Sequence, residues 1–399
     1  MNPFLPITTA EVAARHWDAL DFVCVTGDAY VDHPSFGVAV IARVLEAEGF
    51  RVAILSQPVW KNTADFKKFG RPRLGFFVTA GNIDSMVAHY SVTKNRRKTD
   101  AYSPGGQVGL RPDRALIPYC QRIREAYGDI PIVIGGLEAS LRRFAHYDYW
   151  EDAVRPSILV DTGADLISYG MGEHQTIEIA RRLAAGEAIG RMHDIPGTCY
   201  LTDPTDLPAG ETVSCASYDK VRADKLAYAK ACKLQIEEQD AVRGRPVLQR
   251  QGDRLLVQNP PMKPLVRAEL DRVAELPYTR EAHPSYAGRG VPALQEVEFS
   301  IIHNRGCYGE CAFCAIAFHQ GRTVTSRSKA SIVREAELLT RMPNFKGYIH
   351  DIGGPTANFR RPSCGEQMVR GVCRDRRCLS PEPCPHLVVD HSEYLDILR

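Results

Sequence analysis

Short apolar segments alternate with helical patterns through the first 190 residues of this 399-residue chain. Apolar residues dominate five segments, at 21–27, 51–55, 74–78, 131–134 and 166–169. Helical patterns lie between or after them, at 36–48, 114–127 and 174–184. Near-continuous apolar strands that alternate with helices are typical of a parallel sheet covered on both faces. The sequence therefore predicts an α/β fold with a doubly wound parallel sheet over residues 1–190.

Two glycine-rich turns follow the last two predicted strands. Gly135 and Gly136 come directly after the segment 131–134, and a Gly-x-Gly-Glu turn at 170–173 follows the segment 166–169. Ligands of open α/β sheets bind outside the carboxyl ends of the strands. These turns therefore mark the edge at which the first domain would hold a ligand.

Three cysteines within eight residues are the strongest chemical signal of the chain. Cys307, Cys311 and Cys314 form a C-x₃-C-x₂-C run, with Phe313 just before the last cysteine. Three thiolates can hold three irons of a [4Fe–4S] cube, whereas most electron-transfer clusters use four cysteines. The fourth iron is then open, and an open position distinguishes a reactive metal site from a structural one. The alternatives are a zinc site completed by His319 or a distant cysteine, and three unrelated thiols.

The segments around the cysteine run predict one strand–loop–helix–strand unit. Residues 296–303 alternate polar and apolar side chains over most of their length, as a strand does. Ser328 is the predicted N-cap of the following helix. Residues 347–352 form the second predicted strand, and Gly353 and Gly354 follow it. This order is typical of one βαβ unit in a parallel sheet or barrel.

These motifs resemble the radical S-adenosylmethionine (SAM) superfamily, and the chain as a whole resembles its YgiQ-type members. The resemblance rests on residues 28–37, on the cysteine run 307–314, on residues 351–358 and on the later cysteines. It covers the chain from roughly the first strand to Arg399. Features so widely scattered are more specific together than any one motif alone.

The resemblance implies a radical SAM enzyme that modifies an unknown substrate. The three cysteines of the run would bind a [4Fe–4S] cluster whose open iron takes the amino and carboxylate groups of SAM. Gly353 and Gly354 would approach the methionyl end of SAM, and Phe313 would shield the cluster or lie near adenine. Reductive cleavage of SAM would give a 5′-deoxyadenosyl radical. A low-potential electron donor such as flavodoxin is the implied partner.

We predict three regions along the chain. Residues 1–190 would form a cobalamin-binding-like α/β domain and residues 191–292 a linking region, with a hairpin at 247–258 that turns at Gly252 and Asp253. Residues 293–399 would form the N-terminal part of a radical SAM core, a partial (β/α) barrel, with a cysteine-rich insertion at 360–391. Such a barrel needs several more βα units after its second strand. We therefore expect the chain to be truncated.

The first loop departs from the pattern of cobalamin-binding domains. Domains that supply a lower axial histidine use D-x-H-x-x-G, whereas Asp32 and His33 are adjacent here and Gly37 lies four residues further on. A lone loop histidine has many other uses. We therefore expect that cobalamin is not a cofactor, and a cobalamin-dependent radical methylase is an alternative.

A second set of cysteines follows the second predicted strand. Cys364, Cys373, Cys378 and Cys384 are spaced C-x₈-C-x₄-C-x₅-C, among several arginines. Nearby cations lower thiol pKa values and favour thiolate. Four thiolates can close a zinc tetrahedron or hold another cluster. A second metal site, of zinc or iron–sulfur type, is predicted; redox or substrate-handling thiols and inert thiols are the alternatives.

Composition narrows the choice of partners and compartment. The net charge is +2, so no overall field favours nucleic acid or membrane. Twelve cysteines without an export signal predict the reducing cytoplasm. The basic run 94–98 supports an RNA-modifying radical enzyme, and a solvated surface is the other interpretation of it. A non-enzymatic zinc-binding interaction protein is the alternative from a different class.

Overall fold

The structure, a computed structural model, describes residues 3–354 and 359–399. Its strands are β1 (Phe22–Thr26), β2 (Val52–Ser56), β3 (Gly75–Thr79), β4 (Ile132–Gly135), β5 (His146–Asp148), β6 (Ala153–Arg155), β7 (Leu166–Ser168), β8 (Thr198–Thr202), β9 (Val213–Ser214), β10 (Val247–Gln251), β11 (Arg254–Gln258), β12 (Ser300–Ile302), β13 (Asn304–Arg305), β14 (Thr325–Ser326) and β15 (Asp351–Gly353). Its helices are α1 (Thr9–Ala14), α2 (Gly37–Ala47), α3 (Ala64–Lys67), α4 (Ser85–His89), α5 (Leu116–Tyr127), α6 (Gly136–Leu141), α7 (Ile158–Thr162), α8 (Glu173–Ala184), α9 (Tyr218–Ala223), α10 (Lys225–Glu237), α11 (Arg267–Ala274), α12 (Pro292–Val297), α13 (Ile316–Gln320), α14 (Lys329–Thr340), α15 (Gln367–Arg370) and α16 (Ser392–Leu398).

Nine strands form one mixed sheet in the order β2-β1-β3-β4-β7-β8-β11-β10-β9. The five strands from β2 to β7 pair in parallel. The pairs β7–β8, β8–β11 and β11–β10 are then antiparallel, and the last pair, β10–β9, is parallel again. The predicted α/β class is confirmed in this form, as a large sheet dominated by parallel strands.

Strand β1 shows why the sheet is covered on both faces. All five of its residues are buried, and successive side chains of a strand point to opposite faces. Phe22 and Cys24 join the core that also holds the buried faces of α2 and α8. Val23 and Val25 join the core beneath α5. A continuous apolar strand therefore requires helices on each side, as the sequence predicts.

The region 191–292 differs from the predicted linking region because its strands extend the same sheet. Residues 247–258 form the expected hairpin, whose second strand, β11, pairs with β8. In turn, β8 pairs with β7. An unpaired edge at β7 would expose a row of backbone hydrogen-bonding groups. The hairpin and β8 thus cover an edge that the parallel strands leave open.

After residue 292 the strands are short. The parallel pair of β12 and β15, with α14 between them in the chain, agrees with the predicted βαβ order. The bounds differ, since the helix α12, which begins at Pro292, takes up the first two residues of the strand predicted at 296–303, and β15 begins at Asp351. Proline favours the first turn of a helix, where its missing N–H costs nothing. Ser328 caps α14 as predicted, because its Oγ accepts the Ser331 N–H at 3.1 Å.

Residues 355–358, the end of the motif 351–358 named above, lie outside the described residues. Within the described ranges no helix has the length and apolar character needed to cross a membrane.

Candidate functional site

The cysteine run lies on a loop with a narrow base. The strands β13 and β14 enter and leave this loop as an antiparallel pair, and the Cys307 N–H donates to the carbonyl of Gly321 at 3.0 Å. Gly306 has φ of 83°, and a Cβ there would lie 2.2 Å from the carbonyl oxygen of Thr323. Only glycine permits this approach, so the base of the loop is fixed immediately before the first cysteine.

The three thiols of the loop are free and differ in exposure. Cys307 is buried, Cys311 is exposed and Cys314 is intermediate. A Cβ on Gly309 would lie 3.3 Å from the Cys307 Sγ and 3.7 Å from the Cys311 Sγ, so the missing side chain leaves open space between these two sulfurs. Three free thiols on one loop, two of them with such a space between them, suit an iron–sulfur cluster.

A converged metal site is not formed in this arrangement. Across residues 3–354 and 359–399, no three His, Cys, Asp or Glu side chains meet in a way that could hold a metal ion. The Phe313 ring is 92% exposed, so its predicted contact with a cluster or with adenine stays a prediction. The ring and the Cys311 thiol both lie on the outer surface of the loop.

Gly353 and Gly354 lie beside the entrance to the loop. The His303 N–H donates to the Gly353 carbonyl at 2.9 Å. A Cβ on Gly354 would lie 1.8 Å from the Asn304 Oδ1, so no larger residue fits there. Asn304 is 1% exposed, and its Oδ1 and Nδ2 have no hydrogen-bond partner among the described residues. The Gly-Gly turn and the cysteine loop therefore meet at a buried amide, which the sequence analysis missed.

Buried ion pairs connect the cysteine-loop region to the N-terminal loop. Arg327 donates to the Ile302 carbonyl at 3.0 Å and pairs with Glu335. Glu335 also pairs with Arg280, whose Nη1 lies 3.2 Å from the His33 Nε2. One carboxylate thus compensates two buried cations, and its removal would leave both charges unpaired.

His33 is part of this packing. The side chain is fully buried, and its Nδ1 accepts the Ser35 N–H at 3.1 Å. Burial, and then the charge of Arg280, lower the pKa of His33 well below its ordinary value, so the ring is neutral. Both ring nitrogens contact protein groups, and the imidazole does not face a ligand crevice.

The helix after the cysteines, α13, lies against the carboxyl edge of the sheet. The Arg143 guanidinium lies 3.9 Å from the centre of the Phe318 ring, and Gln239 donates to the Phe318 carbonyl at 3.1 Å. A Cβ on Gly170, whose φ is 77°, would lie 3.1 Å from the carbonyl oxygen of His319. The turn that the sequence marks as a ligand edge is therefore contacted by the chain itself.

An ion pair joins the other half of this turn to the cysteine loop. Glu173, at the start of α8, pairs with Arg305, which lies two residues before Cys307. Glu173 is 2% exposed, so the pair is held away from solvent. The two motifs are 132 residues apart in the chain, and neither spacing nor periodicity predicts their contact.

The later cysteines are partly gathered by backbone and side-chain hydrogen bonds. The Cys378 thiol donates to the Ser363 Oγ at 3.1 Å, next to Cys364, and the Cys384 N–H donates to the Cys378 carbonyl at 2.9 Å. Burial raises the pKa of the Cys378 thiol, and the nearby Cys364 and Cys373 add to this shift. The expectation that arginines lower the pKa does not describe this thiol, because burial has the largest effect on its pKa and outweighs the lowering by the hydrogen bond to Ser363.

Arg322 connects the cysteine-rich segment to the cysteine loop. Its Nη1 donates to the Glu310 Oε1 and to the Cys373 carbonyl, both at 3.1 Å. The rings of Tyr308 and Phe359 stack with their centres 4.0 Å apart. Glu310 and Tyr308 both stand between Cys307 and Cys311, so the second set of cysteines lies beside the first.

The basic run 94–98 is exposed on the surface. The Lys94 Nζ lies 4.8 Å from the centre of the Tyr149 ring, and Arg97 donates to the Val87 carbonyl at 3.0 Å. Two of its cations are thus engaged by neighbouring protein groups, which agrees with the interpretation as a solvated surface.

A family model described as Radical SAM N-terminal matches residues 4–300. The chain belongs to this radical SAM family. The predicted radical SAM protein is therefore confirmed, and with it an enzyme at the level of the family. The match ends before Cys307, so the cysteine ligands are not included in it.

Curated relatives are similar over almost the whole chain. A UPF0313 protein of Clostridium perfringens (strain 13) is 56% identical over 399 residues, which are 100% of this chain and 60% of that protein. A UPF0313 protein of Clostridium botulinum (strain 657) is 52% identical over 397 residues, 99% of this chain and 62% of that protein. The chain thus spans about 60% of the length of these relatives.

A solved structure is similar at a greater distance. It is the radical SAM methyltransferase TsrM from Kitasatospora setae, with tryptophan substrate and a SAM analogue bound. The TM-score is 0.44 at 19% identity, over 80% of this chain and 45% of that one. A likeness of this size does not transfer a reaction.

Proposed function

We propose that this chain carries the SAM-cleaving site of a radical SAM enzyme, with Cys307, Cys311 and Cys314 as the ligands of a [4Fe–4S] cluster. When bound there, such a cluster would supply the electron for the cleavage of SAM to methionine and a 5′-deoxyadenosyl radical, which would take hydrogen from the substrate. The observation that supports this proposal best is the contact between Gly354 and Asn304. It brings the Gly-Gly turn to the base of a loop with three free thiols.

The buried amide of Asn304 gives this site a specific binding role. A buried amide without partners costs free energy, and a ligand that supplies a donor and an acceptor removes that cost. Gly354 has no side chain, so its backbone lies directly against this amide. We assign to Asn304, Gly353 and Gly354 the polar end of SAM, the part that carries an amino and a carboxylate group.

The exposed side of the loop suits an electron donor. Cys311 is exposed and Phe313 is 92% exposed, so a cluster held here would lie near the surface. A low-potential protein such as flavodoxin could then approach it without a conformational change. All twelve cysteines are free, which suits a reducing compartment such as the cytoplasm. The substrate class is not assigned.

Anaerobic iron–sulfur reconstitution with absorption and EPR spectra tests this proposal. We expect about four iron atoms per chain and a reduced-cluster EPR signal that shifts when SAM is added. With dithionite as reductant, 5′-deoxyadenosine and methionine should accumulate together. A colourless protein with stoichiometric zinc and no iron would overturn the proposal and favour the zinc-binding interaction protein.

The residues of the first domain do not support a cobalamin site with a lower axial histidine. His33 is fully buried against Arg280 and Ser35, and α13 contacts the Gly170 turn at the carboxyl edge of the sheet. We therefore derive no step through cobalamin. A corrinoid that copurifies in stoichiometric amount under anaerobic conditions would contradict this and favour the cobalamin-dependent radical methylase.

The second set of cysteines is also proposed to bind a metal, because hydrogen bonds gather Cys378, Cys384 and the residue before Cys364. Metal analysis of Cys378→Ser after reconstitution checks this site. We expect the variant to lose metal, zinc or iron, while it keeps the SAM-sensitive EPR signal. Unchanged metal content would favour inert or redox-active thiols.

A further inference from the structure

A small cavity lies where the sheet, the cysteine loop and a proline-rich segment meet. Its volume is about 50 Å³, several times the space that one buried water needs. The turn 169–171 after β7, residues 239–241, residues 261–264, residues 319–323 and Val372 line it. None of Asn304, Gly353 and Gly354 is among these residues, so the cavity is distinct from the proposed SAM site.

Arg322 lines this cavity with unused hydrogen-bond donors. The residue is 7% exposed, and its Nε and Nη2 have no hydrogen-bond partner in the part of the chain that the structure describes. Its Nη1 is held by Glu310 and by the Cys373 carbonyl. The Nε and Nη2 atoms form one edge of the guanidinium, the edge that binds a carboxylate or phosphate with two parallel hydrogen bonds.

The surroundings of Arg322 favour an anion. Among the described residues that line the cavity, Asp240 is the only acid, and its carboxylate already accepts three backbone N–H groups at 2.5–2.8 Å. Lys263 also lines the cavity. The buried guanidinium of Arg143 lies behind α13, 3.9 Å from the Phe318 ring. The positive charge near the cavity therefore exceeds the negative charge available to compensate it.

We propose that this cavity binds an anionic group, the carboxylate or phosphate of a small molecule, on the Nε–Nη2 edge of Arg322. The same guanidinium holds Glu310, between Cys307 and Cys311, so a bound anion shares its anchor with the cysteine loop. The site stands apart from the cluster chemistry, and binding is expected in the iron-free protein as well.

Calorimetric titration of the 399-residue chain with inorganic phosphate, and separately with acetate, tests the site. Arg322→Gln removes the charged donors, and charged hydrogen bonds are strong enough that affinity should fall about tenfold or more. Ala241→Leu fills the cavity from its wall without changing Arg322 or Glu310, and should also abolish binding. Arg341→Gln changes an arginine whose side chain is 78% exposed and is the matched control.

The site is supported if the unmodified chain and Arg341→Gln bind either anion saturably while both cavity variants lose this binding. The anion that binds more tightly would then distinguish phosphate from carboxylate ligands. If neither anion binds saturably to the unmodified chain, the proposal is wrong. It is equally wrong if Ala241→Leu binds as well as the unmodified chain, because the anion would then lie outside the cavity. Ala241→Leu decides the question if Arg322→Gln does not fold.

Discussion

The nine-stranded sheet and the cysteine-loop region are stabilised by different means. In the sheet, alternate residues of β1 enter two large apolar cores. After residue 292, one parallel pair of three-residue strands packs on a small core of Phe299, Ile301, Ile332, Leu339 and Ile397. Buried ion pairs, such as Arg280 with Glu335, then tie this region to the rest. The sheet region holds itself together, whereas the position of the cysteine loop depends on charges supplied from the sheet side.

Two sets of buried polar side chains, one from each region, differ in whether their hydrogen-bonding atoms and charges have partners. At the carboxyl edge of the sheet, Arg111 contacts Asp28 and Asp100 at 2.9 Å each, so these charges compensate one another. In the cysteine-loop region, Asn304 and Arg322 keep hydrogen-bonding atoms without partners among the described residues. Both binding sites proposed above therefore use buried polar atoms of the cysteine-loop region, although the sheet region also holds buried polar atoms without partners among the described residues, such as the Gln175 Oε1.

The largest expected effect is loss of the cluster in Cys307→Ala. Two remaining thiolates cannot hold three irons, so bound iron should fall to about a tenth or less of that in the unmodified chain. Iron and sulfide analysis after anaerobic reconstitution measures this. Cys232→Ala, on α10 of the sheet region, should keep its iron. Equal losses in both variants would break the contrast between the two regions.

Glu335→Gln tests whether the cysteine-loop region depends on buried charge. Loss of the carboxylate leaves Arg280 and Arg327 without a counter-charge, and we expect a loss of about 3–5 kcal/mol in the free energy of unfolding. Urea denaturation followed by circular dichroism measures it. Glu337→Gln, on the same helix with a side chain 59% exposed, should change stability by about 0.5 kcal/mol or less. Similar results for the two variants would mean that charge does not hold this region.

Gly306→Ala tests the narrow base of the cysteine loop. Its left-handed backbone and the 2.2 Å approach to the Thr323 carbonyl together should cost about 3 kcal/mol. Gly109 has the same φ of 83° with nothing near its Cβ position, so Gly109→Ala should cost only about 1–2 kcal/mol. The difference between the two unfolding free energies isolates the close approach. Equal costs would show that the base of the loop can widen.

The smallest effect is a pH dependence at His319, where the two regions touch. Burial, and then Arg143, lower the pKa of His319 to about 4 from an ordinary 6.5. As the pH falls, His319 therefore binds a proton in the unfolded chain before it does so in the folded one. The contribution of neutral His319 to the free energy of unfolding is fully present above pH 6.5 and is lost as the pH falls towards 4. The ring is only part-buried, and we expect about 1–2 kcal/mol.

Unfolding free energies of His319→Gln and the unmodified chain between pH 7 and 4 measure this dependence. The variant should be the less pH-sensitive of the two. His386→Gln, which replaces an exposed histidine, should follow the unmodified chain. If the unfolding free energy of His319→Gln depends on pH as strongly as that of the unmodified chain, the His319 ring is hydrated. The contact between α13 and the sheet is then looser than the structure indicates.

Local patterns predicted much of the fold. The five apolar segments became strands, the hairpin at 247–258 formed, and Ser328 caps its helix. These outcomes follow from side-chain periodicity and from capping chemistry within a few residues. The helix α12 was missed because an alternating pattern over 296–303 hid the proline-initiated turn before it. Cys307, Cys311 and Cys314 were proposed as cluster ligands from their spacing and from the family resemblance. In the structure they lie on one loop with free thiols, and their role as ligands stays a prediction.

Contacts between distant segments could not be predicted in this way. The sequence by itself determined the family, the α/β class and the three cysteines, because each of these is written in short, local patterns. Tertiary structure alone decided that 198–258 extends the sheet, that Glu173 meets Arg305, and that Arg322 lines a cavity and keeps two nitrogens without partners among the described residues. Such contacts depend on where folding places segments that are distant in the chain, 132 residues apart for Glu173 and Arg305. Charge or periodicity within one segment carries no information about its partner.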